Sequence, residues 1–339
     1  MTASPVPRFS IIIPLFNRVL FTTICARALI AVADCWDETE VIFVDNGSTD
    51  GTAAFLATLG APFRAVTNER NMGFAHACNQ GAGGARGAYL VFLNNDTVPQ
   101  PGWLTALVGA MTGPLAPAVV GARLLFPDDT IQHAGLGFNA RDEPVHLLYG
   151  EPADGAASRS RAAPAVTGAC LMVERRRFLV SGGFDEGYIN GFEDLDFCCR
   201  VRREGGTVWY EAGSLLYHFE SASDGRYRSD VANYDRFRSR WAEWLATDPL
   251  ARASTTATGL PVRLKRSYAT GADMRRELER VVADATAYRA EFERVRIAYD
   301  EQTAAFARQA EWGHALEQDA RRVRHRTSLQ RLVGKLLHM

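Results

Sequence analysis

Polar side chains in this 339-residue chain collect where apolar runs end. Asn17 follows FSIIIPLF, Asp45-Asn46 follows EVIFV, Asn94-Asn95-Asp96 follows AYLVFL, and His218 follows LLY. An ionised carboxylate only accepts hydrogen bonds, so Asp45 can select a ligand edge that presents a donor. Oxygen donors such as that of Asp96 suit a hard divalent cation. Each group also has a local alternative. Asp45 can close an Asx-turn with Asn46 and Gly47. Asp96 can cap the helix expected near Trp103. His218 can be a strand-end histidine. A second acidic pair, Glu193-Asp194, opens a helical segment, where negative charge complements the helix dipole. Residue types alone leave these alternatives open.

The elements that position these groups follow from periodicity. Short apolar runs at 9–15, 40–44, 63–67 and 88–93 predict buried strands, and 21–33, 52–59 and 72–85 predict helices between them. Alternating strands and helices imply a parallel α/β sheet. Ligands of such sheets sit at the carboxyl ends of the strands, where the polar groups stand. Further along, 119–126, 166–173 and 207–210 predict strands, and 193–204 a helix stopped by Gly205-Gly206. Residues 150–165 are rich in Ala, Gly, Ser and Pro and predict a mobile loop beside the site. Residues 103–126 are apolar enough to suggest a membrane span. Pro114, Pro117 and Arg123 interrupt them, so a helix followed by a buried strand reads better.

A formal net charge of -1 argues against a nucleic-acid partner. The six cysteines form no CxxC pair, and Cys198 and Cys199 are adjacent. Neither a zinc cluster nor a disulfide framework is expected, and reduced cytosolic thiols fit. No basic segment followed by an apolar core marks a signal peptide. Charge is unevenly placed: residues 262–339 hold 16 basic against 11 acidic side chains. From Met274 through Leu278, Val281, Ala285, Tyr288, Phe292, Val295 and Tyr299 the apolar positions alternate spacings of four and three, a heptad seam. The expected organisation is a catalytic domain over 1–247, a linker over 248–270, and a helical coiled-coil tail over 271–339 with a basic amphipathic end. The seam packs either on a second copy, giving a homo-oligomer, or back on the body.

The runs FSIIIPLFN at 9–17, VDNGSTDGT at 44–52, NMGFAHACNQG at 71–81 and LNNDT at 93–97 stand in one order. RLLFPDDTIQHAG at 123–135, TGACLMVERRRF at 167–178, GGFDE at 182–186 and GFEDLDFCCR at 191–200 follow. Together they resemble the family-2 glycosyltransferases of the GT-A fold, a Rossmann-like nucleotide-diphospho-sugar transferase domain. The likeness covers roughly 9–221 and is greatest to bacterial surface-polysaccharide enzymes, rhamnosyltransferases among them.

That resemblance implies an inverting, metal-dependent transfer of a sugar from a UDP- or dTDP-sugar to a glycan or lipid-linked acceptor hydroxyl. It implies Asp194 as general base, with Glu193 in reserve. It makes Pro14, Phe16, Asn17, Asp45, Asn46, Asn71, Gly73 and Asn95 donor contacts, with Asp45 facing the pyrimidine edge. It assigns Asp96 and His218 to Mn²⁺ or Mg²⁺. Asn94 stands where the family's first metal-site aspartate is usual, which leaves Asp96 as the full carboxylate. Asp196 and His133 are expected to be structural. The implied location is the cytoplasm, with peripheral contact at the inner face of the plasma membrane. Two rival readings fit the sequence less well. A sugar-nucleotide pyrophosphorylase needs a Gly-rich phosphate loop, and 9–18 has no glycine. A non-catalytic scaffold that keeps the fold and uses the coiled coil would have no need of Asp45, Asp96, Asp194 and His218.

Overall fold

The computed structural model describes residues 6–32, 35–139, 142–219 and 230–254. The heptad seam, the basic amphipathic end and most of the expected linker lie outside them.

The first half alternates strands and helices: β1 (Phe9–Leu15), α1 (Val19–Val32), β2 (Thr39–Asp45), α2 (Thr52–Leu56), β3 (Phe63–Thr67), α3 (Phe74–Gly84), β4 (Tyr89–Leu93), β5 (Thr97–Pro99) and α4 (Trp103–Thr112). The second half adds β6 (Val119–Leu125), β7 (Ile131–His133), β8 (Leu136–Phe138), β9 (Pro144–His146), β10 (Arg161–Ala162) and β11 (Cys170–Glu174). It continues with α5 (Arg175–Val180), α6 (Glu193–Arg203), β12 (Val208–His218), α7 (Asp230–Thr247) and α8 (Pro249–Ser254).

One sheet runs in the order β10-β12-β6-β11-β4-β1-β2-β3. β1 pairs in parallel with both β2 and β4. Strand order therefore reverses at β1, and a crevice opens beyond the carboxyl ends of β1 and β4. Both faces of the sheet are covered, so β1 reads as an unbroken apolar run. Its odd residues Phe9, Ile11, Ile13 and Leu15 join the core beneath α1 and α4. Ile12 joins the opposite core with residues of α3, α6 and α7.

Four segments depart from the sequence expectation. The strand expected at 166–173 begins at Cys170, because 167–169 turns out to face the crevice. The strand expected at 207–210 runs on to His218, since its register against β6 resumes beyond the irregularity between Glu211 and Leu215. Residues 150–165 are folded: β10 pairs antiparallel with β12, and Ala157, Ala163 and Ala165 are buried. The Gly, Ser and Pro of this stretch suggest a loop, but its small alanines pack readily. Residues 249–254, expected within the linker, form α8, with Ala251 buried in the core. All six cysteines are free thiols. No helix among the described residues is long and apolar enough to cross a membrane.

Candidate active site

The crevice is a cleft of about 260 Å³. Its floor comes from the ends of β1 and β4. Pro14, Phe16, Asn17, Asn46, Asn71, Asn95, Asp96, Glu193 and Asp194 all line it. Asp45, Gly73 and His218 do not line it but abut residues that do.

At the nucleotide side, Asp45 is wholly buried. Its Oδ1 accepts the Ser48 N–H at 2.9 Å, one residue beyond the Gly47 N–H that the expected Asx-turn would use. Its Oδ2 is buried without a hydrogen-bond partner. Asn46 ties the end of β2 to the next loop: its Nδ2 donates to Gly73 O at 3.0 Å and its Oδ1 accepts from Asn68. Asn71 Oδ1 accepts the Gly73 N–H at 2.9 Å. Gly73 has φ +92, a conformation that side-chain-bearing residues rarely adopt, and it opens α3. Asn17 Oδ1 accepts the Thr49 N–H, and Asn95 donates to Thr22 Oγ1. These amides build the wall by bonding to one another's loops.

At the opposite wall, α6 begins with Glu193 and Asp194. Glu193 is buried, and its carboxylate accepts the Gly191 N–H at 2.7 Å. Asp194 is half-buried; one oxygen accepts Gly168 N–H at 2.7 Å and the other Leu195 N–H at 2.8 Å. Of the two, Asp194 is the more open to a ligand. Phe192, just before the helix, has φ +74, and Asn190 has φ +53. Positive φ at a bulky residue such as Phe192 is costly and is found where surrounding structure holds it. Asn17 and Arg18, on the facing wall, are also left-handed.

Asp96 and His218 meet because β5 pairs with β12, placing Thr97 opposite His218. His218 Nε2 lies 3.1 Å from Asp96 Oδ1. Asn94 Nδ2 is 3.2 Å from the same nitrogen, and Asn94 Oδ1 is buried without a hydrogen-bond partner.

Asp196, expected to be structural, and two further acids are committed elsewhere. Asp196 is buried against Trp241 Nε1 and Arg200 Nε, at 2.9 and 2.8 Å, and so docks α7 on α6. Asp185 holds Arg236 and Arg240, and Glu186 holds Asn79 and His76. Buried His133 accepts Thr167 N–H on Nε2 and faces His146 with Nδ1. Burial, reinforced by Arg161 and His218, lowers its pKa to about 3, so it is neutral. Cleft residues that sequence reading passed over include Arg18, Thr167, Gly168 and Asn190. The TGAC and NG strings were visible, but nothing local says that they face Asp194.

Residues 10–175 match the family model described as glycosyl transferase family 2. The chain belongs to this family. The O-antigen biosynthesis protein RfbC of Myxococcus xanthus is 31 % identical over 271 residues, 77 % of this chain and 21 % of that protein. The N-acetylglucosaminyl-diphospho-decaprenol L-rhamnosyltransferase of Mycobacterium tuberculosis is 27 % identical over 55 % of this chain and 68 % of its own length. The chain spans only 28 % and 21 % of the two relatives that align with most of it. Among solved structures, a mannosyltransferase of Pyrobaculum calidifontis in complex with GDP-Man and Mn²⁺ superposes with a TM-score of 0.54. That comparison covers 84 % of this chain and 76 % of the other at 16 % identity, a likeness of fold. The fold is GT-A.

Family-2 enzymes of this fold imply a divalent cation, and the residues present can be tested against it. Among the described residues no group of three or more His, Cys, Asp or Glu gathers as a metal site. What gathers is one carboxylate oxygen and one imidazole nitrogen, with the Asn94 amide turning its nitrogen to the same imidazole. The 3.1 Å between the first two is close to the edge of an octahedron with bonds of about 2.1 Å. A cation that reserves most positions for phosphate oxygens and water needs few protein donors. The donor set therefore fits Mn²⁺ or Mg²⁺ held jointly with a phosphate ligand.

Proposed function

We propose that this chain is an inverting glycosyltransferase that moves a sugar from a UDP- or dTDP-sugar to an acceptor hydroxyl in bacterial surface-glycan synthesis. What supports the reading is one arrangement: Asp96, in contact with His218, and Asp194 both line a single cleft at the reversal of strand order. A cation there supplies charge stabilisation to the departing diphosphate. Asp96 and His218 would hold it. Asp45 Oδ2, the buried acceptor without a partner, suits the N3–H of a uracil or thymine ring. Asp194 would take the proton of the acceptor hydroxyl as that oxygen bonds to the anomeric carbon, while the sugar–phosphate bond breaks and the nucleoside diphosphate leaves. The backbone N–H bonds to both of its oxygens aim the carboxylate and leave further lone pairs to receive the proton. The relatives named for O-antigen and rhamnosyl transfer favour a glycan or lipid-linked acceptor.

The test is nucleoside diphosphate release from a panel of UDP-, dTDP- and GDP-sugars with Mn²⁺ or Mg²⁺, with and without polyprenyl-diphosphate-linked sugar acceptors. The expected result is metal-dependent, acceptor-stimulated turnover confined to uracil or thymine donors. Binding of donors without turnover under every condition would favour the scaffold alternative.

A further inference from the structure

We propose that Gln132 is a positioning residue that fixes the His218 ring as its Nδ1–H tautomer and so turns an unprotonated Nε2 toward Asp96 and Asn94. The inference rests on the reading that Asp96 and His218 hold a cation.

Gln132 is the middle residue of β7 and is buried. Side chains alternate along a strand, so Gln132 faces away from the side taken by Ile131 and His133. It meets His218 at two points. Gln132 Nε2 lies 3.1 Å from the His218 backbone oxygen, and Gln132 Oε1 lies 2.5 Å from His218 Nδ1.

These two contacts decide the protons. A backbone carbonyl can only accept, so the amide must present its NH₂ group to it. The other end of the same amide, the carbonyl oxygen, then faces the ring. That oxygen also only accepts, so Nδ1 carries the hydrogen. In a neutral imidazole the second nitrogen is then a lone-pair acceptor. Here that nitrogen faces Asp96 Oδ1 at 3.1 Å, another acceptor. Asn94 Nδ2 at 3.2 Å is the donor available on its other side. With Nδ1 carrying the hydrogen, Nε2 and Asp96 Oδ1 are two acceptors 3.1 Å apart, a pairing that a positive charge shared between them would stabilise.

The opposite tautomer would remove that pairing. With hydrogen on Nε2, the ring would donate to Asp96 and occupy the lone pair a cation needs. Gln132 excludes this state, because Nδ1 would then face Oε1 acceptor to acceptor. Outer partners of this kind set the tautomer and aim of metal-binding histidines, and their loss commonly lowers affinity about 10- to 100-fold.

The experiment uses the full chain. Long-range ¹H–¹⁵N spectra of the metal-free protein at mildly alkaline pH read the His218 tautomer directly, and Mn²⁺ titration with UDP by calorimetry reads affinity without turnover. The wild type is expected to show Nδ1–H. Gln132→Leu is expected to shift toward Nε2–H and to bind Mn²⁺ about 10- to 100-fold more weakly. Gln132→Glu keeps an acceptor for Nδ1–H and is expected to retain the wild-type tautomer. A wild-type ring protonated on Nε2 overturns the inference, and this measurement needs no variant to fold. So does a folded Gln132→Leu with unchanged tautomer and affinity. A wild type with the Nδ1–H tautomer that binds no Mn²⁺ overturns the cation reading instead, with the tautomer assignment intact.

Discussion

Asp194 gives one oxygen to the Gly168 N–H and the other to the Leu195 N–H. Asparagine has a single acceptor oxygen, so Asp194→Asn leaves one of these N–H groups facing an NH₂. The variant should therefore lose about 1–3 kcal/mol of stability as well as the base. Transfer should fall by about 10²- to 10⁴-fold, the usual worth of a general base, with donor affinity nearly unchanged. A folded variant that keeps more than about a tenth of the wild-type rate would show that the base is another residue. Asp96→Ala should abolish the Mn²⁺-dependent part of donor binding, and His218→Ala should weaken it less, because the carboxylate carries the charge. Calorimetry with and without Mn²⁺ checks both, and equal metal dependence in wild type and Asp96→Ala would rule Asp96 out as a ligand. Asp96 and His218 were legible because each closes an apolar run in a familiar string. Their contact was not, since it depends on strand pairing across 122 residues of chain, and neither was Gln132, whose partner lies 86 residues away.

Strands β1, β2 and β4 were legible to within a residue or two, because burial on both faces leaves unbroken apolar runs that end at turn residues. Residues 150–165 were not, because small side chains carry no period. Close packing between elements is equally invisible in sequence, and α3 offers a direct test. A Cβ at Gly81 would stand 2.5 Å from Ile12 Cγ2 and 3.2 Å from Val44 Cγ2, so this helix lies close on β1 and β2. At Gly83, in the same helix, a Cβ would meet nothing within 4 Å. Alanine is favoured over glycine in a helix by about 1 kcal/mol, whereas overpacking costs about 1–3 kcal/mol. Gly83→Ala should therefore raise the denaturant midpoint and Gly81→Ala lower it. Unfolding curves for both variants decide, and a stabilised Gly81→Ala would show that α3 sits farther from the sheet.

At the scale of the whole chain, the cleft lining identified among the described residues lies between Pro14 and Asp194, well before the residues beyond 254. Those later residues carry a charge pattern of their own. After Asp319 come Arg321, Arg322, Arg324, Arg326, Arg331 and Lys335, with no acidic residue among them. Read as a helix, SLQRLVGKLLHM at 328–339 puts Leu329, Leu332, Val333, Leu336 and Leu337 on one face, with Arg331 and Lys335 off it. Such a segment can lie in an anionic bilayer surface with its apolar side down. Each basic residue near that surface adds about 1 kcal/mol of attraction. A transferase whose acceptor is lipid-linked would gain from this by meeting its substrate in two dimensions. The competing account packs the same face on a second chain or on the body, and the two differ in their salt dependence and lipid dependence. The full chain should float with vesicles containing anionic lipid, less so at high salt, and should sediment freely with neutral vesicles. A chain lacking 328–339 should lose flotation while keeping transfer to a water-soluble acceptor. Equal flotation of the two chains, or none by the full chain, would rule out the membrane and leave the apolar face to a protein contact.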